Sequence, residues 1–236
     1  MARRKAWMAK KGKKKIYGRK RRIKAIRAPD VGNSLAAVRQ ALYSRLATPL
    51  PNKLKVSLRY SDNQLVVNPT STNVVNIVFK ANDMYDPYDT GGGHQPRGFD
   101  QLIAMYDHFQ VIGSKITVQM NESPTTLRWG ILLSDTAVGP VIQTDALEYP
   151  SANSVHGSTK VYEPTCLSLA YSQKKFFGHR DLEQQFEGRS SGSPTELAYF
   201  NVYAMSSSTA DPANVYFTVT IDYIAILTEP HNPAQS

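Results

Sequence analysis

From residue 53 to residue 227, segment after segment places an apolar side chain at every second position. In KLKVSLRY (53–60) the even positions hold Leu54, Val56, Leu58 and Tyr60, and the odd ones Lys53, Lys55, Ser57 and Arg59. NVVNIVFKA (73–81) sets Val75, Ile77, Phe79 and Ala81 on one side. QVIGSKITVQM (110–120) opposes Ile112, Ile116, Val118 and Met120 to Lys115, Thr117 and Gln119. In VYFTVTIDYIAIL (215–227), Val215, Phe217, Val219, Ile221 and Tyr223 alternate with Tyr216, Thr218, Thr220 and Asp222. A period of two means a strand with one buried face. LRWGILLS (127–134) is more uniformly apolar, as a central strand would be, and LAYFNVYAMS (197–206) is another strand. STKVYE (158–163) and CLSLAYSQKKF (166–176) carry a weaker pattern, which brings the expected count to about eight strands.

The connections between these strands narrow the architecture. Residues 82–108 hold NDMYDPYDTGGGHQPRG and then FDQLIAMYDHF (99–109), where Phe99, Leu102, Ile103 and Tyr106 share a helical face. Residues 135–157 form a second long excursion. Up-and-down barrels are joined by short hairpins, whereas a double Greek key needs long crossovers. The expected fold is all-β: a single eight-stranded antiparallel jelly roll with a short helix in a long loop. NSLAAVRQALYSRLA (33–47), with Leu35, Val38, Leu42 and Leu46 on one face and Asn33 or Ser34 to cap it, predicts another short helix before the first strand.

Charge divides the chain sharply. Residues 1–27 contain fourteen lysines and arginines and no acid, and the remaining fourteen face all nineteen acids, so +14 and 14 − 19 = −5 sum to the net +9. Like charges at that density repel one another, and the segment has little apolar surface to bury. It is expected to stay unfolded until a polyanion neutralises it. The boundary falls at the Pro29 and Gly32 punctuation, giving a basic arm at 1–32 and a jelly-roll domain at 33–236. The arm's binding residues are Arg3, Arg4, Lys5, Lys10, Lys11, Lys13, Lys14, Lys15, Arg19, Lys20, Arg21, Arg22, Lys24 and Arg27. Trp7 and Tyr17 stand among them, where their rings can stack on unpaired bases. GRKRRIK (18–24) also fits a nuclear import address read by a host import receptor.

Catalytic chemistry finds little support. His94, His108, His156, His179 and His231 are scattered, with no zinc-ligand spacing, so neither an enzyme nor a metal or cofactor is expected. The lone Cys166 heads a strand and reads as a small core residue rather than a nucleophile. TGGGHQPRG (90–98) lacks the Gly-Lys-Ser/Thr ending of a phosphate loop and reads as a surface loop. Asp83, Asp86 and Asp89 could hold a hard cation, but their spacing matches no defined calcium loop. The N-terminus shows no apolar leader, and 215–227 is too short to span a bilayer as a helix and contains Asp222. No membrane association is expected, and the chain reads as soluble and intracellular at synthesis.

The segments 81–87 (ANDMYDP), 95–101 (QPRGFDQ) and 106–118 (YDHFQVIGSKITV) resemble the capsid proteins of small circular single-stranded DNA viruses, the circovirus-like or CRESS-DNA group. KKFFG at 174–178, the basic leader and the aromatic-rich last strand agree with that resemblance in position and character. It implies a jelly-roll subunit that closes with its copies into a small icosahedral shell around a single-stranded DNA genome. Such a protein resides in the virion, with assembly in the host nucleus and an unknown cell-surface receptor. It implies also that the sheet made by the first, third, sixth and eighth strands faces broadly inward. Lys53, Lys55 and Arg59 on the first strand and Lys115 on the third would then form an inner basic patch. Tyr85, Tyr88, Phe99 and Tyr106, in the excursion at 82–109, are expected to pack within or between subunits and are the candidate subunit contacts. The rival readings are a cellular nucleic-acid-binding protein with a basic tail and a carbohydrate-binding or cupin-like jelly roll. The first calls for a positive folded domain and the second for clustered histidines and carboxylates.

Overall fold

A computed structural model of the chain describes residues 50–70, 73–121, 123, 125–159, 163–178, 182–207 and 214–231. The basic arm, with Trp7 and Tyr17, and the helix expected over 33–47 lie outside the described residues. Among the described residues nine strands form: β1 (Lys53–Val67), β2 (Val75–Lys80), β3 (Tyr106–Met120), β4 (Leu127–Ser134), β5 (Ser154–Ser158), β6 (Thr165–Ser172), β7 (Gly188–Arg189), β8 (Tyr199–Ser206) and β9 (Val215–Pro230). Short helices α1 (Phe99–Ile103), α2 (Gln143–Glu148) and α3 (Gln173–Phe176) lie between them.

One sheet has the order β1-β9-β3-β6, with the two-residue β7 added on β3, and the other has the order β2-β8-β4-β5. The chain crosses from sheet to sheet at nearly every connection, and pairing is antiparallel throughout. That order is a jelly roll. β9 is the spine of the first sheet, paired with β1 on one side and β3 on the other. Its inward residues Val215, Phe217, Val219, Ile221, Tyr223, Ala225 and Leu227 are all buried, following the period read from the sequence. Between the sheets Trp129 of β4 lies 5.6 Å from Phe217, and Tyr60 of β1 lies 6.3 Å from Phe79 of β2, centroid to centroid. Each buried side chain of this kind contributes about 2–3 kcal/mol by leaving water.

β4 is buried at every position but Arg128, because its outer side is covered as well. Leu132 and Tyr203 there meet Ala146 of α2, with Val74 and Tyr149 around them. This gives β4 a double-sided apolar sequence.

Several expectations need correction. The helix expected over 99–109 stops at Ile103, because Tyr106–Phe109 opens β3 and pairs with the end of β9 out to Pro230. Within β3, Ile112 is not a core residue. The register shifts between Val111 and Gly113, so Phe109 and Val111 face inward before the bulge and Ile116, Val118 and Met120 after it. The strand expected at 158–163 is β5 at 154–158, paired with β4 through Val155, His156 and Gly157, a sequence with little strand character of its own. β6 ends at Ser172, where α3 begins. Cys166 is exposed, since Leu169 and Tyr171 occupy the inward positions of β6 and Cys166 stands opposite Gln119 on the other face.

Candidate nucleic-acid interface

The β1-β9-β3-β6 sheet has one face in the core and one in solvent, and all four basic residues expected together are on the solvent face. Lys53, Lys55 and Arg59 project from β1 and Lys115 from β3, each exposed. Alternate residues of a strand stand about 7 Å apart, so the β1 cations form a row along that edge. Across the sheet, Arg59 pairs in register with Asp222 of β9, Asp222 with Lys115, and Lys115 with Ala170 of β6. The neighbouring rung is Ser61, Thr220, Thr117 and Ser168, all hydroxyls. Tyr216 and Ile224, two of the exposed large apolar residues, project from β9 onto the same face. Small polar side chains thus floor the surface, with three cations along its β1 edge, Lys115 on β3 and an aromatic ring within it.

Asp222 stands in the middle of this face and engages Arg59 with both oxygens. Arg59 Nε donates to Oδ1 at 2.6 Å and Nη2 to Oδ2 at 3.1 Å. The hydrogen bond and the charge of Asp222 raise the Arg59 pKa above its already high value, so the guanidinium stays charged. Both side chains are exposed, at 68% and 42%, so water screens the pair and a phosphate could compete for the guanidinium. Sequence reading identified the four cations but not their gatekeeper. Asp222 is 163 residues from Arg59, and only the insertion of β9 between β1 and β3 brings them together.

The acidic excursion turns out to hold a cation of its own. Lys80 Nζ lies 2.6 Å from Asp86, 3.4 Å from Asp89 and 3.9 Å from Asp83. The Lys80 side chain is 9% exposed and that of Asp83 is fully buried. Burial pushes the Asp83 carboxyl above its usual range, and hydrogen bonds from Ser193 and the Tyr85 amide together with Lys80 pull only part of the way back. For Lys80 burial acts to lower the pKa, but the three carboxylates outweigh it and the ammonium ends up raised. The segment 87–90 lies alongside β2 and closes its edge: Lys80 N donates to Pro87 O, Asp89 N to Val78 O, and Val78 N to Thr90 Oγ1. The glycines that follow wrap Tyr88. A Cβ at Gly91 or Gly93 would meet the Tyr88 side chain at 2.9 or 2.8 Å. They serve an aromatic ring, not a phosphate.

Of the four aromatics expected to pack within or between subunits, two pack inside their own chain. Phe99 is 1% and Tyr106 0% exposed, packed with Phe109 and other core residues, and the Tyr106 hydroxyl donates to Pro51 O. They therefore offer no surface to a neighbour, because α1 and the start of β3 close the end of the sandwich. Tyr85 and Tyr88 are half-buried against the core, with Tyr88 stacked on Phe79 at 5.1 Å, and retain some surface.

The four described histidines are separately engaged, and His179 lies outside the described residues. His108 accepts from Arg189 Nε at 3.0 Å on one ring nitrogen and faces Glu229 at 3.3 Å on the other. His156 bonds the Tyr203 hydroxyl at 2.7 Å, His231 lies 3.1 Å from Asp107, and His94 covers the ring of Tyr60. Among the described residues no group of three or more His, Cys, Asp or Glu is placed to hold a metal ion, and no helix is long and apolar enough to cross a membrane.

No family model matches the chain, and no curated protein matches it. Solved structures do resemble it. A chain of cucumber necrosis virus is 13% identical over 79% of this chain and 60% of its own, with a TM-score of 0.48. One of tobacco necrosis virus is 12% identical over 78% and 86%, with a TM-score of 0.46. One of desmodium yellow mottle tymovirus is 13% identical over 80% and 95%, with a TM-score of 0.44. The jelly-roll assignment rests on the strand order itself.

Proposed function

We propose that this chain is a structural capsid protein whose copies close into a sixty-subunit icosahedral shell around single-stranded DNA, held chiefly by the basic arm. The observation that carries this reading is the partition of charge, +14 in residues 1–27 against −5 in the rest, on a chain whose other part is a jelly roll. A domain of negative net charge does not draw nucleic acid to its whole surface, so the arm is the genome-binding element and the folded domain the wall. The likeness of 79–119 to CRESS-DNA capsid sequences supports the same reading. The face bearing Lys53, Lys55, Arg59 and Lys115 turns inward and extends the arm's footprint, and GRKRRIK directs newly made chains to the host nucleus.

Sixty arms of fourteen charges each bring 840 positive charges inside one particle. An arm that neutralises about ten phosphates of a single strand gives a salt slope near −7 in a logarithmic plot, at about 0.7 per phosphate. Binding is accordingly indifferent to base sequence. The purified full-length protein is expected to form shells in the electron microscope. Deleting residues 1–27 should leave the β domain folded while removing most affinity for labelled single-stranded DNA. A stable monomer under all conditions, or equal DNA affinity and a flat salt response in both proteins, would overturn the reading and favour a cellular protein with a basic tail.

A further inference from the structure

Seven large apolar residues are exposed among the described residues, and four of them lie within ten positions: Val138, Val141, Ile142 and Leu147. They occupy the connection between β4 and β5, including α2. A concentration of exposed apolar surface on one short segment marks a contact site. The segment is also held in place. Asn76 Nδ2 donates to Pro140 O at 3.1 Å, Asn201 Nδ2 to Thr136 O at 3.3 Å, and Ser134 Oγ to Thr136 O at 2.7 Å. Ala146 anchors α2 on Leu132 and Tyr203. The four exposed side chains are the ones this anchoring does not use, and a pre-formed surface loses little entropy on binding.

Charge indicates the occupant. Asp135, Asp145 and Glu148 rim the patch, and no lysine or arginine lies between Arg128 and Lys160. At the same end of the molecule α3 exposes Lys174 and Lys175 beside the half-buried Phe176 and Phe177. A cleft of about 330 Å³, lined by Leu133, Asp135, Tyr149, Pro150, Phe176 and Phe177 among others, separates the two. An acidic apolar patch adjoining a basic aromatic one is self-complementary under a two-fold rotation: each copy's patch meets the other's opposite. We propose that this end is a two-fold contact between copies, with the 135–149 segment of one seated on Lys174–Phe177 of the other. The proposal rests on the shell reading above.

The test uses the full chain and counts particles by electron microscopy, with circular dichroism to verify folding. Wild type is expected to assemble. V141D/I142D and, separately, K174E/K175E should each lower particle yield at least about tenfold, the effect of roughly 1.4 kcal/mol lost per contact. Adding D145K/E148K to K174E/K175E should restore assembly, because the reversed charges again oppose each other. That rescue cannot come from a variant that merely fails to fold. Normal particles from V141D/I142D, or no rescue by the charge reversal, would overturn the two-fold contact while leaving the shell reading intact. Wild type that never assembles would overturn both.

Discussion

The molecule holds two cations against carboxylates in opposite settings. Arg59 meets Asp222 on an open sheet face, with both side chains exposed to water. Lys80 meets Asp83, Asp86 and Asp89 beneath a loop that seals the edge of β2, with its ammonium and Asp83 nearly out of solvent. The bonding chemistry is the same, but the surroundings decide what each pair does. Water screens the first, so it adds little to folding and its partners remain available to a ligand. The second is committed: removing the Lys80 ammonium leaves the buried Asp83 carboxylate without its cation.

Lys80→Ala should show the largest effect. Loss of one partner from a buried pair costs about 3–5 kcal/mol, and the low end applies because Asp86 and Asp89 keep contact with water. Thermal unfolding should drop by roughly 10 °C for a domain of this size, whereas Arg59→Ala should move it little. Equal shifts in the two variants would remove the contrast between the pairs.

A smaller effect is expected from Asp83→Asn, read as a pH profile. The folded-state pKa of Asp83 lies above its ordinary 3.8, so the folded state holds the proton more tightly than the unfolded chain does. Stability therefore falls as pH rises from about 3.8 through the raised value, and Asp83 is a net cost at neutral pH. Lys80 stays charged across that window. Urea midpoints taken from pH 4 to 7 should fall with pH more steeply in wild type than in the variant. Parallel profiles would mean the carboxyl is not strained by its burial.

The smallest effect belongs to Asp222→Asn. It frees Arg59 for a phosphate, and the salt slope of single-stranded DNA binding by the full-length protein should steepen by roughly 0.7, one additional phosphate contact. Folding should hardly change. An unaltered slope would show that nucleic acid does not use this face of the sheet.

How much of this was legible beforehand follows from the range of the forces involved. Alternation along β1, β3 and β9 is local, set by which face of each strand leaves water, and it is written directly into the residues. The two Greek keys followed from connections too long for hairpins. Ser154–Ser158 has little strand propensity of its own, and its pairing with β4 makes it a strand. The bulge at Ile112 depends on how β9 registers against β3, which no window of β3 reveals. Cys166 faces outward because Leu169 and Tyr171 hold the inward parity of β6, which outweighs the tendency of a lone cysteine to be buried.

By itself, then, the sequence determined the all-β class, the segregation of charge and the outward side that each of the four cations takes on its own strand, since each depends on composition or on neighbours along the chain. Tertiary structure alone decided what those charges meet. Asp222 reaches Arg59 across 163 residues only because β9 enters between β1 and β3. Asp83, Asp86 and Asp89, spaced for no recognisable cation loop, converge on Lys80 because 87–90 folds back along β2. An ion pair's strength depends on distance and on the water left around it, and both are fixed only when the sheets close.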